Sequence, residues 1–282
     1  MKLKLISVPS SQGSLEKNLG CKKFPELIFE EPEFRETEKT KIKVIQNDIE
    51  ATDELVFEEA KKIFQEQKLI EEKTKKNNSK IQKKKFPLFL GGDHSITYSE
   101  FKAFAEQYEN ACLIVFDAHA DCAQFFKPVS HEDMNKTLVE EGILKKENLL
   151  LIGVRKIYEI EEKWLKEKEI QVISSNEVHE NLEKTKKQIK EFIQNKKNIF
   201  LSIDCDAFDP SIMPATGYLE KNGLNEKEFF ELLGLILENG KVKGMDLVEI
   251  NPLKDEERKG FNLGKGIIYF IGGKLCQKEE EK

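Results

Sequence analysis

Residues 112–121 read CLIVFDAHAD, an apolar run of five residues followed directly by acidic residues, a histidine and alanines. The apolar part, Cys112–Phe116, has the length and the Val/Ile-rich composition of a strand. It does not alternate with polar residues, which is typical of a strand buried on both faces of a parallel sheet. We therefore predict a buried parallel strand here, whose carboxyl end brings polar side chains to the edge of the sheet.

Further apolar runs of strand length recur along the chain, and amphipathic segments separate them. The runs are residues 3–8, 42–45, 86–90, 149–152, 170–173, 199–203 and 242–250. Apolar side chains recur at roughly helical spacing in residues 54–70, 98–108, 180–194 and 226–237. Alternating strands and helices predict an α/β fold, in which helices cover both faces of a mainly parallel sheet of about eight strands.

The length of 282 residues and the number of predicted strands favour one domain over residues 1–282. Residues 71–85, EEKTKKNNSKIQKKK, are polar and rich in lysine. We interpret them as a solvated loop or frayed helix end, with a functional basic arm as the alternative. Residues 277–282 are predicted to form a disordered tail.

Charged residues make up 35% of the sequence, and the formal net charge is −6. This balance disfavours a nucleic-acid binder, which usually carries a basic face. Five cysteines without CxxC spacing indicate reduced thiols rather than a disulfide framework. The apolar run at the N-terminus is too short for a signal peptide, and no later run is long enough for a membrane span. We therefore expect a cytoplasmic protein without a membrane partner.

Three apolar runs end in acidic or histidine-bearing sequences, and such ends meet at one edge of a parallel sheet. The polar residues at these ends are His94, Asp117, His119, Asp121, Asp204 and Asp206. On extended backbone, residues two positions apart point to the same face, so the members of each motif are expected to share a face. One isolated aspartate would be interpreted as a helix N-cap or a turn. Three such ends together favour a metal site, because crowded carboxylates need a cation or proton between them.

The charges of these residues suggest how many metal ions they hold. Four carboxylates and two neutral imidazoles would be balanced by two divalent cations. This ligand set, which has no thiolate, suits Mn²⁺ and could take Zn²⁺ or Fe²⁺. Two ions about 3.5–4 Å apart can share a water and lower its pKa, which supplies a nucleophile for hydrolysis. The residues therefore predict a hydrolase with two divalent metal ions, for which Mn²⁺ is suited and Zn²⁺ or Fe²⁺ are alternatives.

The same motifs give the chain a resemblance to the ureohydrolase family, which includes arginase, agmatinase and formiminoglutamase. The matching segments are GGDHS at residues 91–95, FDAHAD at 116–121, GVR at 153–155, SIDCDAFDPSIMPATG at 202–217 and EINP at 249–252. The resemblance implies a three-layer α/β/α fold with an eight-stranded, mainly parallel sheet, and a binuclear manganese cluster. It implies that one metal is bound by His94, Asp117, Asp121 and Asp204. The other metal would be bound by Asp117, His119, Asp204 and Asp206.

The resemblance also implies roles at the reaction centre. His131 matches the family's proton-shuttle histidine, and Glu249 matches the glutamate that holds the substrate guanidinium. The implied mechanism is attack of a metal-bridging hydroxide on the guanidinium carbon, protonation of the leaving amine through Asp121 or His131, and release of urea. The alternative for His131 is an exposed loop histidine, and the alternative for Glu249 is a surface carboxylate at a strand end. Asp93 and Asp209 are expected to brace the ligand-bearing segments rather than bind metal.

Two segments bear on the substrate. Arginases carry a polar Asn/Ser-bearing loop after DAHxD and an aspartate soon after G-[IVL]-R. Here residues 122–130 read CAQFFKPVS, and Tyr158 stands in place of the aspartate. Both differences favour an agmatinase-like enzyme that makes putrescine and urea. However, residues 218–223, YLEKNG, keep only the Glu and one Gly of the Pro-Glu-Pro-Gly-Gly-like loop of agmatinases, and Cys122 replaces their usual Thr.

Three hypotheses therefore stand after the sequence. The first is an agmatinase-like ureohydrolase, and the second is an arginase or another guanidino-acid or formimino hydrolase on the same scaffold. The third is a non-catalytic, metal-binding regulatory relative. The resemblance further implies a homo-oligomer, either a trimer or a hexamer.

Overall fold

The computed structural model describes residues 2–77 and 85–280. The strands are β1 (Lys2–Val8), β2 (Glu38–Lys41), β3 (Lys85–Gly91), β4 (Cys112–Phe116), β5 (Leu149–Val154), β6 (Gln171–Ser174), β7 (Ile199–Asp204) and β8 (Val242–Val248). The α-helices of the described residues are α1 (Phe24–Glu30), α2 (Ile49–Asn77), α3 (Ile96–Gln107), α4 (Met134–Glu140), α5 (Glu159–Lys168), α6 (Ser175–Glu180), α7 (Leu182–Ile193), α8 (Glu226–Glu238) and α9 (Lys259–Glu280).

The eight strands form one sheet in the order β2-β1-β3-β8-β7-β4-β5-β6, and every neighbouring pair is parallel. A separate apolar core lies against each face of the sheet. Ile114 of β4 belongs to the core that contains Phe229 of α8, whereas its neighbour Val115 belongs to the core that contains Phe104 of α3. Because both faces are covered, both side chains are fully buried, which explains the uninterrupted apolar run in β4. The predicted three-layer α/β/α fold is therefore confirmed.

The central strands β3, β8, β7 and β4 lie side by side, although they come from distant parts of the sequence. All four run in the same direction, so their carboxyl ends meet at one edge. In open α/β sheets this edge is where ligands bind. The strand order thus brings four loops, each following one central strand, to a single place.

The second strand lies elsewhere than the sequence predicts. Residues 42–45 are not a strand; β2 is formed by the polar residues before them, with sequence EKTK. β2 is an edge strand that pairs only with β1, and its residues are exposed or half-buried. An edge strand of this kind needs no apolar composition. The apolar signal comes partly from Ile42, which is buried in the core directly after the strand.

Helix boundaries also differ from the predictions. α2 continues to Asn77, so the first residues of the predicted loop at 71–85 are helical, and residues 78–84 lie outside the described residues. The predicted tail is helical through Glu280, and residues 281–282 lie outside the described residues. The predicted helix at 180–194 is α7, which begins at Leu182 because the side chain of Asn181 caps it. In the part of the chain that the structure describes, no helix is both long and apolar enough to cross a bilayer.

Phe64 of α2 provides a test of the packing between helix and sheet. Its ring is fully buried and lies 5.2 Å from the ring of Phe104 and 6.3 Å from that of Phe200. We expect Phe64→Ala to lower the free energy of unfolding by about 3–5 kcal/mol, because it removes these contacts and leaves a cavity. Urea titration measures the change. The control Phe125→Ala, at a side chain that is 54% exposed, should cost far less, and equal losses would contradict this assignment.

Candidate metal centre

Six predicted ligand side chains come together at the carboxyl ends of the central strands. His94 follows β3, Asp117 follows β4, and Asp204 is the last residue of β7. The Nδ1 atom of His94 lies 3.1 Å from Asp117 Oδ2, 2.9 Å from Asp121 Oδ2 and 3.3 Å from Asp204 Oδ2. The His94 side chain is 1% exposed. One imidazole nitrogen is thus surrounded by three carboxylates.

A second group of side chains adjoins the first and shares one carboxylate with it. His119 Nδ1 lies 2.9 Å from Asp206 Oδ2 and 3.5 Å from Asp117 Oδ1. The ligand atoms of His94, Asp117 and Asp204 lie within 4.8 Å of one another, as do those of Asp117, His119 and Asp206. Asp117 therefore belongs to both groups, as expected for a bridging ligand. Asp204 belongs only to the first group, so its predicted bridging role stays a prediction.

The side chains converge for a different reason from the one predicted. β4 ends at Phe116, and Asp121 has a φ of +49°, so residues 117–121 do not continue as extended backbone. Asp206 lies in a 3-10 turn formed by Cys205–Ala207. The argument from strand pleat was therefore wrong for both motifs. Backbone donors fix the carboxylates instead: Ala118 N–H donates to Asp206 Oδ1 at 2.9 Å, and His119 N–H donates to Asp117 Oδ1 at 2.7 Å.

The chemistry of these groups fits divalent cations. Among the described residues, His94 Nδ1 and Asp117 Oδ2 are buried and have no hydrogen-bond partner, although they face each other. Buried polar atoms normally have a hydrogen-bond partner. Two buried atoms that lack one and lie side by side therefore indicate that both bind a ligand such as a metal ion. Carboxylates and imidazoles without a thiolate suit Mn²⁺, Fe²⁺ or Zn²⁺. The residues present are thus able to hold two metal ions.

The pKa directions describe the same crowding of charge. Burial, followed by the charge of Asp206, raises the pKa of Asp204 well above its usual range. Burial, followed by the charge of Asp117, raises the pKa of Asp121 to about 8. Burial acts to lower the pKa of His94, but its contacts with Asp117 and the neighbouring carboxylates raise it well above its usual value. The cluster therefore favours positive charge, whether as protons or as metal ions.

Behind His94, a chain of hydrogen bonds orients the imidazole. Ser202 Oγ donates to Asp246 Oδ1 at 2.6 Å, and Thr97 Oγ1 donates to Asp246 Oδ2 at 2.8 Å. Because the serine donates to the carboxylate, it accepts from His94 Nε2, which lies 2.9 Å away. This arrangement leaves the lone pair of Nδ1 facing the cluster. Sequence reasoning missed Asp246; its signal was a single acidic residue within the buried strand β8.

Glu249 lies at the edge of the cluster, directly after β8, and its backbone has a φ of +64°. Its carboxylate is buried and accepts from the His94 N–H at 2.9 Å and from Asn18 Nδ2 at 2.5 Å. His131 Nδ1 lies 3.1 Å from the same carboxylate. His131 is also buried, so neither predicted residue is an exposed surface group. Asn18 was missed because it lies in a segment that carries no motif.

His131 and Glu249 open onto a cavity at this edge. Its lining residues are His119, Asp121, Ala123, His131, Glu132, Tyr158, Glu161, Asp204, Asp206, Gly217, Tyr218 and Glu249. Among the described residues, His131 Nε2 has no hydrogen-bond partner. The Tyr218 ring lies 5.2 Å from the ring of His119 and 5.9 Å from that of His131. The cavity thus connects the carboxylate cluster to the histidine and glutamate predicted to act on the substrate.

Asp93 and Asp209 brace neighbouring loops, as the sequence predicted. Asp93 is fully buried and accepts from the Gly13 N–H at 3.2 Å. Asp209 Oδ2 accepts from the Asn222 N–H at 2.9 Å and from the Gly223 N–H at 3.3 Å. Neither belongs to the groups of potential metal ligands found among the described residues. Their role is to hold the loops that carry the site.

Arg155, from the GVR motif, fixes the loop after β7 through main-chain carbonyl groups. Its guanidinium donates to six carbonyl oxygens, those of Gly153, Asp206, Ala207, Phe208, Glu220 and Lys221. The shortest of these bonds, 2.6 Å, goes to Asp206. One side chain thus joins the 3-10 turn after β7 to the loop at residues 218–223.

The sequence and fold were compared with known proteins. The arginase family profile matches residues 1–271. An arginase of Bacillus subtilis (strain 168) is 28% identical over 224 residues, which cover 74% of this chain and 75% of that protein. An agmatinase of Bacillus anthracis is 30% identical over 174 residues, 61% of this chain and 57% of that protein. The crystal structure of formimidoylglutamase from Bacillus subtilis superposes with a TM-score of 0.84 at 23% identity, over 98% of this chain and 87% of that one.

The cluster predicts that metal binding depends on Asp204. We expect Asp204→Asn to lower the bound metal by at least one ion per chain and activity by more than about a hundredfold, because it removes a charge without changing shape. Metal content after dialysis and turnover measure both effects. The control Asp48→Asn, at a helix end remote from the cluster, should change neither. Full metal content and full activity in Asp204→Asn would exclude this residue as a ligand.

His131 makes stability depend on pH. Burial acts to lower the pKa of His131, but the hydrogen bond and charge of Glu249 raise it from 6.5 to about 9. The folded-state pKa exceeds the unfolded-state value, so this stabilisation is complete below about pH 6.5 and is lost as pH rises through about 9. In chelator-treated protein, the difference in unfolding free energy between wild type and His131→Gln should shrink by on the order of 2 kcal/mol across this range. Urea titrations from pH 6 to 10 would show it, and a constant difference would exclude the ion pair.

Proposed function

Because the chain belongs to the arginase family and is a hydrolase of guanidino C–N bonds, we propose that it converts agmatine to putrescine and urea with two Mn²⁺ ions. The observation that supports agmatine is the charge of the cavity. Besides the proposed metal ligands, its described lining includes the carboxylates of Glu132, Glu161 and Glu249 but neither lysine nor arginine. Agmatine is a dication, which such a cavity attracts. Arginine carries in addition an α-carboxylate, which the cavity would repel.

We assign the metal ligands as the sequence predicts. His94, Asp117, Asp121 and Asp204 would hold one ion, whereas Asp117, His119, Asp204 and Asp206 would hold the other. When bound, the two ions would supply a water of lowered pKa and stabilise the charge that develops on the substrate. The contacts that support the assignment are those of the two imidazoles with Asp117.

The protein's own groups position the substrate for hydrolysis. In the reaction, the oxygen of water adds to the guanidinium carbon, the bond from that carbon to the alkyl nitrogen breaks, and the leaving nitrogen takes a proton. The Glu249 carboxylate would orient the planar guanidinium through paired N–H bonds. The protein donors Asn18 and His94 N–H hold this carboxylate in place.

His131 is placed to supply the proton. Its Nδ1 faces Glu249, and its buried Nε2, which has no partner among the described residues, is in the wall of the cavity. With a pKa raised to about 9, the imidazole is protonated near neutral pH and able to donate from Nε2 to the leaving amine. Asp121 lines the same cavity and is the second candidate for carrying a proton.

Arginine is the second candidate substrate, and the comparisons favour it. The Bacillus subtilis arginase match extends over 224 residues, whereas the Bacillus anthracis agmatinase match extends over 174. In an arginase, the α-carboxylate would need donors near the mouth of the cavity. The cavity offers Tyr158 there, in place of the aspartate of arginases, and has neither lysine nor arginine among its described lining residues.

We further propose a cytoplasmic homo-oligomer, a trimer or hexamer by resemblance to the family. The described cysteines support a reducing compartment. Four of them, Cys21, Cys112, Cys122 and Cys205, are buried free thiols.

A substrate panel tests the proposed function. Manganese-loaded enzyme is assayed with agmatine, arginine, guanidinobutyrate and formiminoglutamate, and urea or formamide is measured. We expect kcat/KM for agmatine to exceed that for arginine by at least about tenfold, because one unfavourable charge contact is worth about that much. Enzyme stripped with a chelator is the control and should be inactive. A higher kcat/KM for arginine would exclude the agmatinase assignment.

A further inference from the structure

Beyond the reaction centre, the cavity wall carries a carboxylate set in a fixed position. The side chain of Glu132 lines the cavity next to His131 in sequence. The main chain of Glu132 is held at both ends, since its N–H donates to Ser130 Oγ at 3.2 Å and its carbonyl accepts from the Ala123 N–H at 2.9 Å. The hydroxyl of Tyr218 donates to Glu132 Oε1 at 3.2 Å, which leaves Oε2 open for another donor.

A second carboxylate, that of Glu220, lies near His119. Glu220 Oε1 is 4.0 Å from His119 Nε2, and the Glu220 side chain is 33% exposed. Its main chain is held by Arg155, which donates to the Glu220 carbonyl at 2.9 Å. Tyr218 links the surroundings of the two acids: its hydroxyl donates to Glu132, and its ring lies 5.2 Å from the ring of His119, which Glu220 faces.

Neither acid is paired with a lysine or arginine within residues 2–77 and 85–280. Glu132 accepts from the Tyr218 hydroxyl, and Glu220 faces the His119 imidazole at 4.0 Å. The nearby guanidinium of Arg155 is directed at main-chain carbonyl oxygens instead. Glu161 also lines the cavity, but both of its oxygens are used, by the N–H groups of Cys122 and Tyr158. Glu132 and Glu220 are therefore the acids available to a ligand.

An independent feature indicates that a polar ligand enters this cavity. His131 is 5% exposed, and its Nε2, which lines the cavity wall, has no hydrogen-bond partner among the described residues. A buried nitrogen of this kind is costly unless something else binds it. A guanidinium held at Glu249 and His131 would place the rest of the substrate along Tyr218, towards the two acids.

We propose that Glu132 and Glu220 form a subsite for a second positive charge on the substrate, beside Tyr218 and the exposed ring of Tyr158. The ligand class is an alkylguanidine with a terminal ammonium. This subsite rests on the proposed function and deepens it, since it assigns the residues that select a dication. The ammonium donates to the carboxylates and lies near an aromatic face, both of which favour a cation.

The test compares two substrates that differ only in the second charge. Agmatine carries the terminal ammonium, whereas pentylguanidine has a methyl group in its place. We expect Glu132→Gln and Glu220→Gln each to lower the ratio of kcat/KM, agmatine over pentylguanidine, by about tenfold, because each removes one charged hydrogen-bond acceptor. The loss should fall mainly on KM for agmatine. Glu109→Gln, at an exposed acid remote from the cavity, is the control and should keep the wild-type ratio.

Two readouts separate this subsite from a merely structural role. The wild-type ratio should fall as ionic strength rises, because exposed charge contacts are screened, and the ratio of the double variant should depend much less on salt. If circular dichroism shows that Glu132→Gln does not fold, two measurements still test the subsite. They are the kcat/KM ratio of Glu220→Gln and the salt dependence of the wild-type ratio. An unchanged ratio in the folded variants would overturn the subsite.

Failure of the proposed function gives a different result. If wild type prefers arginine, agmatine and pentylguanidine are measured as competitive inhibitors of arginine hydrolysis. A wild-type Ki for agmatine at least about tenfold below that for pentylguanidine, with the gap lost in Glu220→Gln, would support the subsite although the substrate assignment is wrong. Equal inhibition constants would overturn both.

Discussion

Mutual repulsion among buried carboxylates is the constraint on which this structure depends. Asp117, Asp121, Asp204 and Asp206 lie together at the ends of neighbouring strands, almost without access to water. The fold maintains this arrangement with directed partners: main-chain N–H groups for the carboxylates and two imidazoles between them. Such a cluster is unfavourable unless positive charge completes it. The surrounding layers are therefore organised around a site that requires added positive charge, which metal ions would supply.

The order of strands makes the arrangement attainable. β3, β8, β7 and β4 are adjacent in space but distant in sequence, so each contributes one short segment and none must supply the whole site. The backbone leaves the extended conformation after the strands, where the site residues lie, as the positive φ values of Asp121 and Glu249 show. Strained residues of this kind persist only where neighbouring contacts hold them. Here the N–H of Glu249 donates to the Gly92 carbonyl at 2.7 Å, which joins the ends of β8 and β3.

Much of the fold and of the metal-ligand cluster was predictable from sequence, because short stretches of sequence indicate both. Apolar runs gave the buried strands, and the residues that follow them gave the six members of the cluster. What failed required tertiary information. The polar edge strand β2 has no apolar signature, and the residues after β4 turn instead of continuing the pleat. Asp246 and Asn18 act through hydrogen bonds to residues far away in the chain, which no spacing records. The substrate's identity depends on loop side chains that differ from those of relatives, so motifs alone do not give it.

Arg155 has a consequence for how such an enzyme can diverge. Its guanidinium donates to main-chain oxygens of Glu220 and Lys221 in the loop at residues 218–223, and of Asp206 in the turn after β7, so these contacts hold the loop without reference to its side chains. Substitutions at residues 218–223 can then change what faces the cavity while the scaffold beneath stays in place. Lysine, with a single nitrogen, could not reproduce this fork of bonds. The path of the loop main chain and the side chains that contact the substrate would then change independently. An ancestral enzyme could in this way acquire new substrates through a few side-chain substitutions.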